Sequence, residues 1–245
     1  MNIIRDFLIT LGFMTRLGPV MNIEAEDLAR TVKWMPLTGL VMGAVIVFPF
    51  YMGLFAGKYW LQSWLTVAGS IYLTRGLHFD GVADIADGAG PYPDAERFWK
   101  ILKDSRTGVF GVLAAVLAVL GQVLGFYYVY AAGAFGAVLW IFMLGRFGNA
   151  FFGRIALPLA KPGQGILTMK GADNLSLFAG LMMTAGAGFF TVSAATQLLG
   201  LAISGGAIIF LYRLARKVNG ANGDFLGAAL VLTELSALLA FAAVN

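Results

Sequence analysis

The chain has 245 residues, of which 59% are hydrophobic and only 12% charged, and it carries a net charge of +4 at neutral pH. With a mean hydropathy of +0.80, it lies far from the roughly 25% charged residues of soluble domains, which implies an all-α integral membrane protein. The absence of cysteine excludes disulfides, thiolate metal sites and cysteine nucleophiles, and so small a net charge gives no reason to expect a nucleic-acid partner.

Residues 2 to 17 place Ile3, Ile4, Phe7, Leu8, Leu11 and Met14 at helical spacing, with Arg5, Asp6 and Arg16 available to the opposite side. This pattern suits a helix lying at the membrane surface or packed on a bundle. The same charges interrupt the stretch too often for a signal peptide, and no cleavage site follows; no removal of the N-terminus is expected. Residues 22 to 33 are the most polar run, with Glu24, Glu26, Asp27, Arg30 and Lys33 expected in water and Asn22 able to cap a short helix. From Pro36 to Gly57 the chain is apolar for about 22 residues, enough to cross roughly 30 Å of hydrocarbon. A shorter second span, Tyr59 to Thr74, ends at Arg75.

The next stretch, RGLHFDGVADIADGAG at 75 to 90, contains the only histidine, His78, and three acids. On a helix Asp80, Asp84 and Asp87 stand at about 0°, 40° and −20°, so their carboxylates share one narrow face. Like charges at that spacing repel unless a cation lies between them. Hard oxygen ligands without cysteine point to Mg²⁺, with Mn²⁺ second. The alternative is a solvated acidic loop whose Asp-Gly pairs mark turns. Residues 92 to 107 are polar again. Arg97, Lys100, Lys103 and Arg106, at about 0°, 300°, 240° and 180° on a helix, would spiral around it, so only part of them could face one ligand.

Further spans run from Gly108 to Ala131, Ala134 to Phe152, Leu175 to Val192, Gln197 to Leu214 and Phe225 to Val244. Residues 191 to 200 are weakly polar, and fusion of the fifth and sixth spans would invert the C-terminus. Gly39 with Gly43, Gly121 with Gly125, and Gly186 with Gly188 offer close helix approaches. Two ionisable residues fall inside spans, Arg146 and Glu234, at a cost of about 2.5 to 3.5 kcal/mol each at a helix centre on insertion scales. They are expected to form a buried pair that fixes register or to contact substrate. Before the last span, VNGANGDFLGA at 218 to 228 forms a tight polar turn in which Asp224 is an N-cap, a fourth carboxylate, or part of a phosphate cradle.

Residues 1–245 thus form a single membrane-embedded catalytic domain of about seven transmembrane helices plus the N-terminal helix. With the N-terminus inside, Arg146 is within a span, Lys58 is outside, and every other Lys and Arg falls on the inner side. Asp80, Asp84, Asp87 and Asp224 then lie at cytoplasmic helix ends of an inner-membrane protein.

GLHFDGVADIADG, followed by LKDSRTGVFGVL at 102 to 113, resembles the signature of cobalamin synthase, the adenosylcobinamide-GDP ribazoletransferase family. The likeness extends to FMTRLG, PLTGLVMG, PLAKPGQG and GDFLGAALVLTE, in the right order over most of the chain. It implies Mg²⁺-dependent transfer of the cobinamide phosphate of adenosylcobinamide-GDP to α-ribazole or its 5′-phosphate, with release of GMP. Carried over by position, Asp80, Asp84, Asp87 and Asp224 match the family's acids and would hold the metal, and His78 its histidine. Lys103, Asp104, Ser105 and Arg106 match its basic segment, and Glu234 its C-terminal acid. Three departures stand out: Arg75 replaces a usual Gly, Asn219 and Asn222 replace Gly and Thr, and Lys161 replaces a common Arg. Asn222 could substitute for the missing hydroxyl at phosphate.

Under that reading one or two Mg²⁺ bridge the pyrophosphate, Lys103 and Arg106 reach phosphate oxygens, and an unsaturated Asp or His78 takes the proton. His78 could instead orient a carboxylate or end the second span. The partners are the two small substrates and membrane lipid, with room for a homo-oligomer or for association with other enzymes of nucleotide-loop assembly. A CDP-alcohol phosphotransferase is the nearest rival, but its DxxDGxxAR opening is not met by the order DGxxDxxDG found here. A cation-coupled transporter wants acids near the midplane and broken helices.

Overall fold

The computed structural model describes residues 3–21, 24–90 and 94–245. Asn22 lies outside these residues, so its capping role does too. The described chain is all-helical. Helix α1 (Ile3–Met14) buries Ile9, Leu11 and Met14, whereas Ile3 and Ile4, which the spacing puts on the same apolar side as Leu11 and Met14, are exposed at its start. Asp6 departs from the expected polar side: it is buried, with Arg30 of α2 (Ala25–Arg30) donating to it at 3.0 Å. The pairing ties the polar N-terminal run to the bundle, and Leu28 of that run is buried as well.

A 3-10 turn (Val32–Trp34) leads into α3 (Met35–Tyr51), which ends well before Gly57. The reason is local: Gly53, Phe55 and Gly57 take positive φ and wind residues 52–57 into turns. Helix α4 (Tyr59–Leu73) returns beside α3 and α7. At 15 residues it spans about 22 Å, too short to count among the six helices long and apolar enough to cross a membrane. Most of its buried polar face is bonded: Ser63, Thr66 and Thr74 donate to carbonyls one turn back, the Thr66 and Tyr130 hydroxyls meet at 2.5 Å, and Gln62 Oε1 is left without a partner. After the left-handed residues Arg75 and Gly76, α5 (Leu77–Ala89) carries the acids.

The basic segment is not one helix. Asp94 caps the short α6 (Ala95–Ile101) by accepting from Arg97 N at 2.9 Å, and Lys103 and Arg106 lie in the turns beyond it. Then follow α7 (Val109–Ala131), α8 (Phe135–Ala156), a second 3-10 turn (Leu157–Leu159), α9 (Gly165–Gly171), α10 (Asn174–Thr191), α11 (Ala194–Lys217) and α12 (Gly223–Val244). The fifth and sixth long apolar runs are separate helices, because Val192 is extended and Ser193 caps α11 by accepting from Thr196 N.

Helices α12 and α8 form the centre, 78% and 72% buried over their apolar windows, against 22% for α10 at the rim. Uniform apolarity suits α12 to that place. Close approaches occur where glycine was expected to allow them. A Cβ on Gly39 would lie 2.8 Å from the Arg146 side chain, and one on Gly125 would lie 2.6 Å from Leu238. Gly186 is the exception, with no neighbouring atom within 4 Å of such a Cβ. This is a multi-pass membrane protein.

Candidate active site

Helix α5 is set against α12 by two glycines. A Cβ on Gly81 would lie 2.6 Å from the Asp224 carbonyl oxygen, and one on Gly227 would lie 3.1 Å from the His78 Cα. This contact brings the acidic face of α5 alongside the first turn of α12. Asp80 is exposed, while Asp84, Asp87 and Asp224 are half-buried. Burial, followed by repulsion from Asp80, Asp224 and Asp87, pushes the Asp84 carboxyl up to about 6. The charges therefore feel one another across α5 and α12, as three-residue and four-residue spacing predicts for the α5 set.

They do not form a ready-made cage. Among the described residues no three His, Asp or Glu side chains stand close enough to hold an ion by themselves. Asp87 is committed elsewhere: its two oxygens accept from Gly108 N and Gly111 N, each at 2.7 Å, so it caps the N-terminus of α7. Asp224 is not the N-cap of α12. Asn222 holds that position and donates through Nδ2 to Asp224 Oδ2 at 2.6 Å. The Asn222 side chain thus orients a carboxylate.

By helical position His78 lies on the side of α5 roughly opposite Asp80, Asp84 and Asp87. It is buried, its Nε2 has no hydrogen-bond partner, and burial together with the Arg146 charge lowers it to about 3. So weak a base is a poor proton acceptor, and the second helix ends at Leu73 without its help. Arg146 and Glu234 make the buried pair: Arg146 donates to Glu234 Oε1 at 2.5 Å, and Gln122 donates to Oε2 at 2.9 Å. Glu234, 3% exposed, is enclosed by this network.

Of the basic segment, Asp104 and Arg106 are exposed and bind each other at 2.7 Å. Bonds from Arg106 hold the Asp104 carboxyl down at about 2. Ser105 is exposed between them. Lys103 shares an open surface hollow with Lys100, Lys161, Trp99 and Asn219. Lys161 is fixed there: its N donates to Ala221 O at 2.8 Å, Ala221 N donates to Leu159 O at 2.8 Å, and its Nζ stands 5.4 Å from the Trp99 ring centre. The 157–161 and 218–224 segments are thereby laced together beside Asp224.

On its other side Asp224 lines a recess of about 110 Å³ with His78, Asn149 and Thr168. Asn149 carries no charge, so the cost of a charge in lipid that marks Arg146 and Glu234 does not mark it. A search for buried amides three residues beyond Arg146 would find it.

The chain matches the cobalamin-5-phosphate synthase family over residues 6–242. It belongs to that family. The adenosylcobinamide-GDP ribazoletransferase of Nitratidesulfovibrio vulgaris strain Hildenborough is 40% identical over 235 residues, covering 95% of each chain. Proteins of the same description from Chlorobium chlorochromatii and Thiobacillus denitrificans are each 32% identical, covering 89% and 96% of this chain and 88% and 94% of their own. No solved structure shows a significant match. The cobalamin-5-phosphate synthase likeness therefore spans both clusters that converge on Asp224.

Proposed function

We propose that this protein transfers the cobinamide phosphate of adenosylcobinamide-GDP to a ribose hydroxyl of α-ribazole or its 5′-phosphate, releasing GMP. The observation that carries the reading is the 40% identity to a ribazoletransferase over 95% of both chains. The acceptor oxygen forms the new bond to the cobinamide phosphorus, the bond from that phosphorus to the bridging oxygen breaks, and GMP leaves with the electron pair. The hydroxyl proton passes to a carboxylate, and Asp84, half-buried among the acids and raised to about 6, is the one we assign.

Asp80, Asp84 and Asp224 supply hard oxygen donors, and none of them takes part in any described ion pair. That donor set fits Mg²⁺, with Mn²⁺ as a substitute, because Mg²⁺ is usually held by one or two carboxylates together with substrate phosphates and needs no all-protein cage. When bound, the ion would neutralise charge on the diphosphate. Lys103 and Lys161 flank the 218–224 turn and are placed to attract phosphate oxygens. Arg106 can join them by exchanging Asp104 for phosphate. Counted with the short α4 as a seventh crossing segment, the basic residues outside the spans load one side, which supports an inner-membrane protein whose reaction faces the cytoplasm.

The test uses the full chain in lipid vesicles with adenosylcobinamide-GDP and α-ribazole. GMP and the joined corrinoid should appear in equal amounts, and only when Mg²⁺ or Mn²⁺ is present. Absence of GMP with both substrates and metal supplied would overturn the assignment.

A further inference from the structure

The recess beside Asp224 takes polar residues from four helices, His78 of α5, Asn149 of α8, Thr168 of α9 and Asp224 of α12, and apolar walls that include Met14 of α1 and Met35 of α3. Asn149 and His78 are only 4% and 5% exposed, and each keeps a buried polar atom without a partner, Asn149 Oδ1 and His78 Nε2. The amide orientation of Asn149 is fixed, because its Nδ2 donates to Leu226 O at 2.9 Å. Its free atom is therefore an acceptor, and a buried acceptor left unpaired is costly unless something donates to it.

The lining contains a carboxylate and no Lys or Arg, so it repels phosphate and suits an uncharged group rich in hydroxyls. A wider cleft of about 340 Å³ lies next to it and shares Phe13, Leu77 and Gln164 with its lining. The basic hollow of Lys103 and Lys161 is lined by other residues. The lysine hollow thus suits anionic groups, and the recess beside Asp224 suits an uncharged polyol.

Resting on the ribazoletransferase reading, we propose that the recess is the subsite for the sugar of the acceptor nucleoside, with Asn149 Oδ1 accepting from one of its hydroxyls and Thr168 beside it. Asn149 and Thr168 would then set the affinity for α-ribazole and leave that for adenosylcobinamide-GDP alone.

Asn149→Leu and Thr168→Val, each as the full chain in lipid vesicles, should raise KM for α-ribazole about tenfold or more, with KM for adenosylcobinamide-GDP changed less than twofold. A merely structural role would move both constants together or lower the thermal midpoint, and either result overturns the proposal. So do unchanged constants in both variants, which would mean that the recess holds a buried water only. Calorimetric titration of α-ribazole into the solubilised wild-type chain and into the Thr168→Val chain decides the matter even where Asn149→Leu fails to insert. Binding to the first that weakens tenfold in the second supports the subsite; equal binding rejects it. If the wild type binds α-ribazole but makes no product, the proposed reaction fails while the recess assignment stands.

Discussion

Glu234 and Asp224 lie on the same central helix, roughly 15 Å apart along its axis, and the chain treats them in opposite ways. Both Glu234 oxygens are engaged, by Arg146 and Gln122, and the group is sealed from every cavity described above. Asp224 is half-exposed, is oriented by a neutral amide and faces other carboxylates. A compensated charge inside a membrane bundle is architecture. An array of like charges with no described counter-ion repels itself until a proton or a cation neutralises part of it, which is the property expected of a binding site.

The largest expected effect tests the uncompensated side. Asp84→Asn should lower kcat on the order of 100-fold or more while leaving the thermal midpoint equal or higher, since it deletes one of several repelling charges. Steady-state assay alongside a thermal melt in detergent checks both halves; turnover close to wild type would remove Asp84 from the reaction. The compensated side should behave inversely. Arg146→Met strands Glu234 and should cost about 3 to 5 kcal/mol of stability. Arg146→Met combined with Glu234→Leu should recover most of that loss, and the folded fraction should keep its turnover. Loss of activity in a double variant that is fully folded would mean that the pair does more than hold the helices.

Which parts of this arrangement can be read from sequence depends on how local their cause is. The acids of α5 follow from helical period alone, and the Arg146–Glu234 pair from the cost of leaving either charge alone in lipid. Asp87 shows the limit. Its spacing is that of Asp80 and Asp84, yet the N-terminus of α7 arrives to take both oxygens, and only tertiary structure says so. For Asp224 the sequence leaves an N-cap, a fourth carboxylate and a phosphate cradle open; Asn222 holds the cap and orients the acid, a choice between neighbours that composition does not decide. The end of α3 was set too late because hydropathy continues through Leu54 and Phe55, whereas backbone conformation at Gly53 and Gly57 had already turned the chain.

A smaller effect probes how the two acidic elements are held together. Gly81→Ala would push a Cβ to 2.6 Å from the Asp224 carbonyl oxygen, so α5 and α12 must part by a few tenths of an ångström or more. Overpacking of this kind costs about 1 to 3 kcal/mol, and kcat should fall more than either KM because the carboxylates lose their mutual placement. Unchanged kcat with only a lowered thermal midpoint would show that the α5 and α12 acids work independently.

The smallest effect is a dependence on pH. Asp84 is raised from 3.8 to about 6 in the fold, so between those values the native state binds more protons than the unfolded chain. Stability of the metal-free protein should therefore rise as pH falls from about 6 towards 3.8 and should decline again on the way back up. Because Asp84 remains partly open to solvent, the trend should be modest. Mg²⁺ should act against it: an ion bound by ionised Asp80, Asp84 and Asp224 stabilises most at pH 7 and loses its grip as the carboxylates protonate. Thermal midpoints measured with and without Mg²⁺ at pH 7 and pH 5 should thus differ most at pH 7. An Mg²⁺ increment equal at both values would place the ion away from these carboxylates, and the contrast between Asp224 and Glu234 would then have to be explained by substrate charge alone.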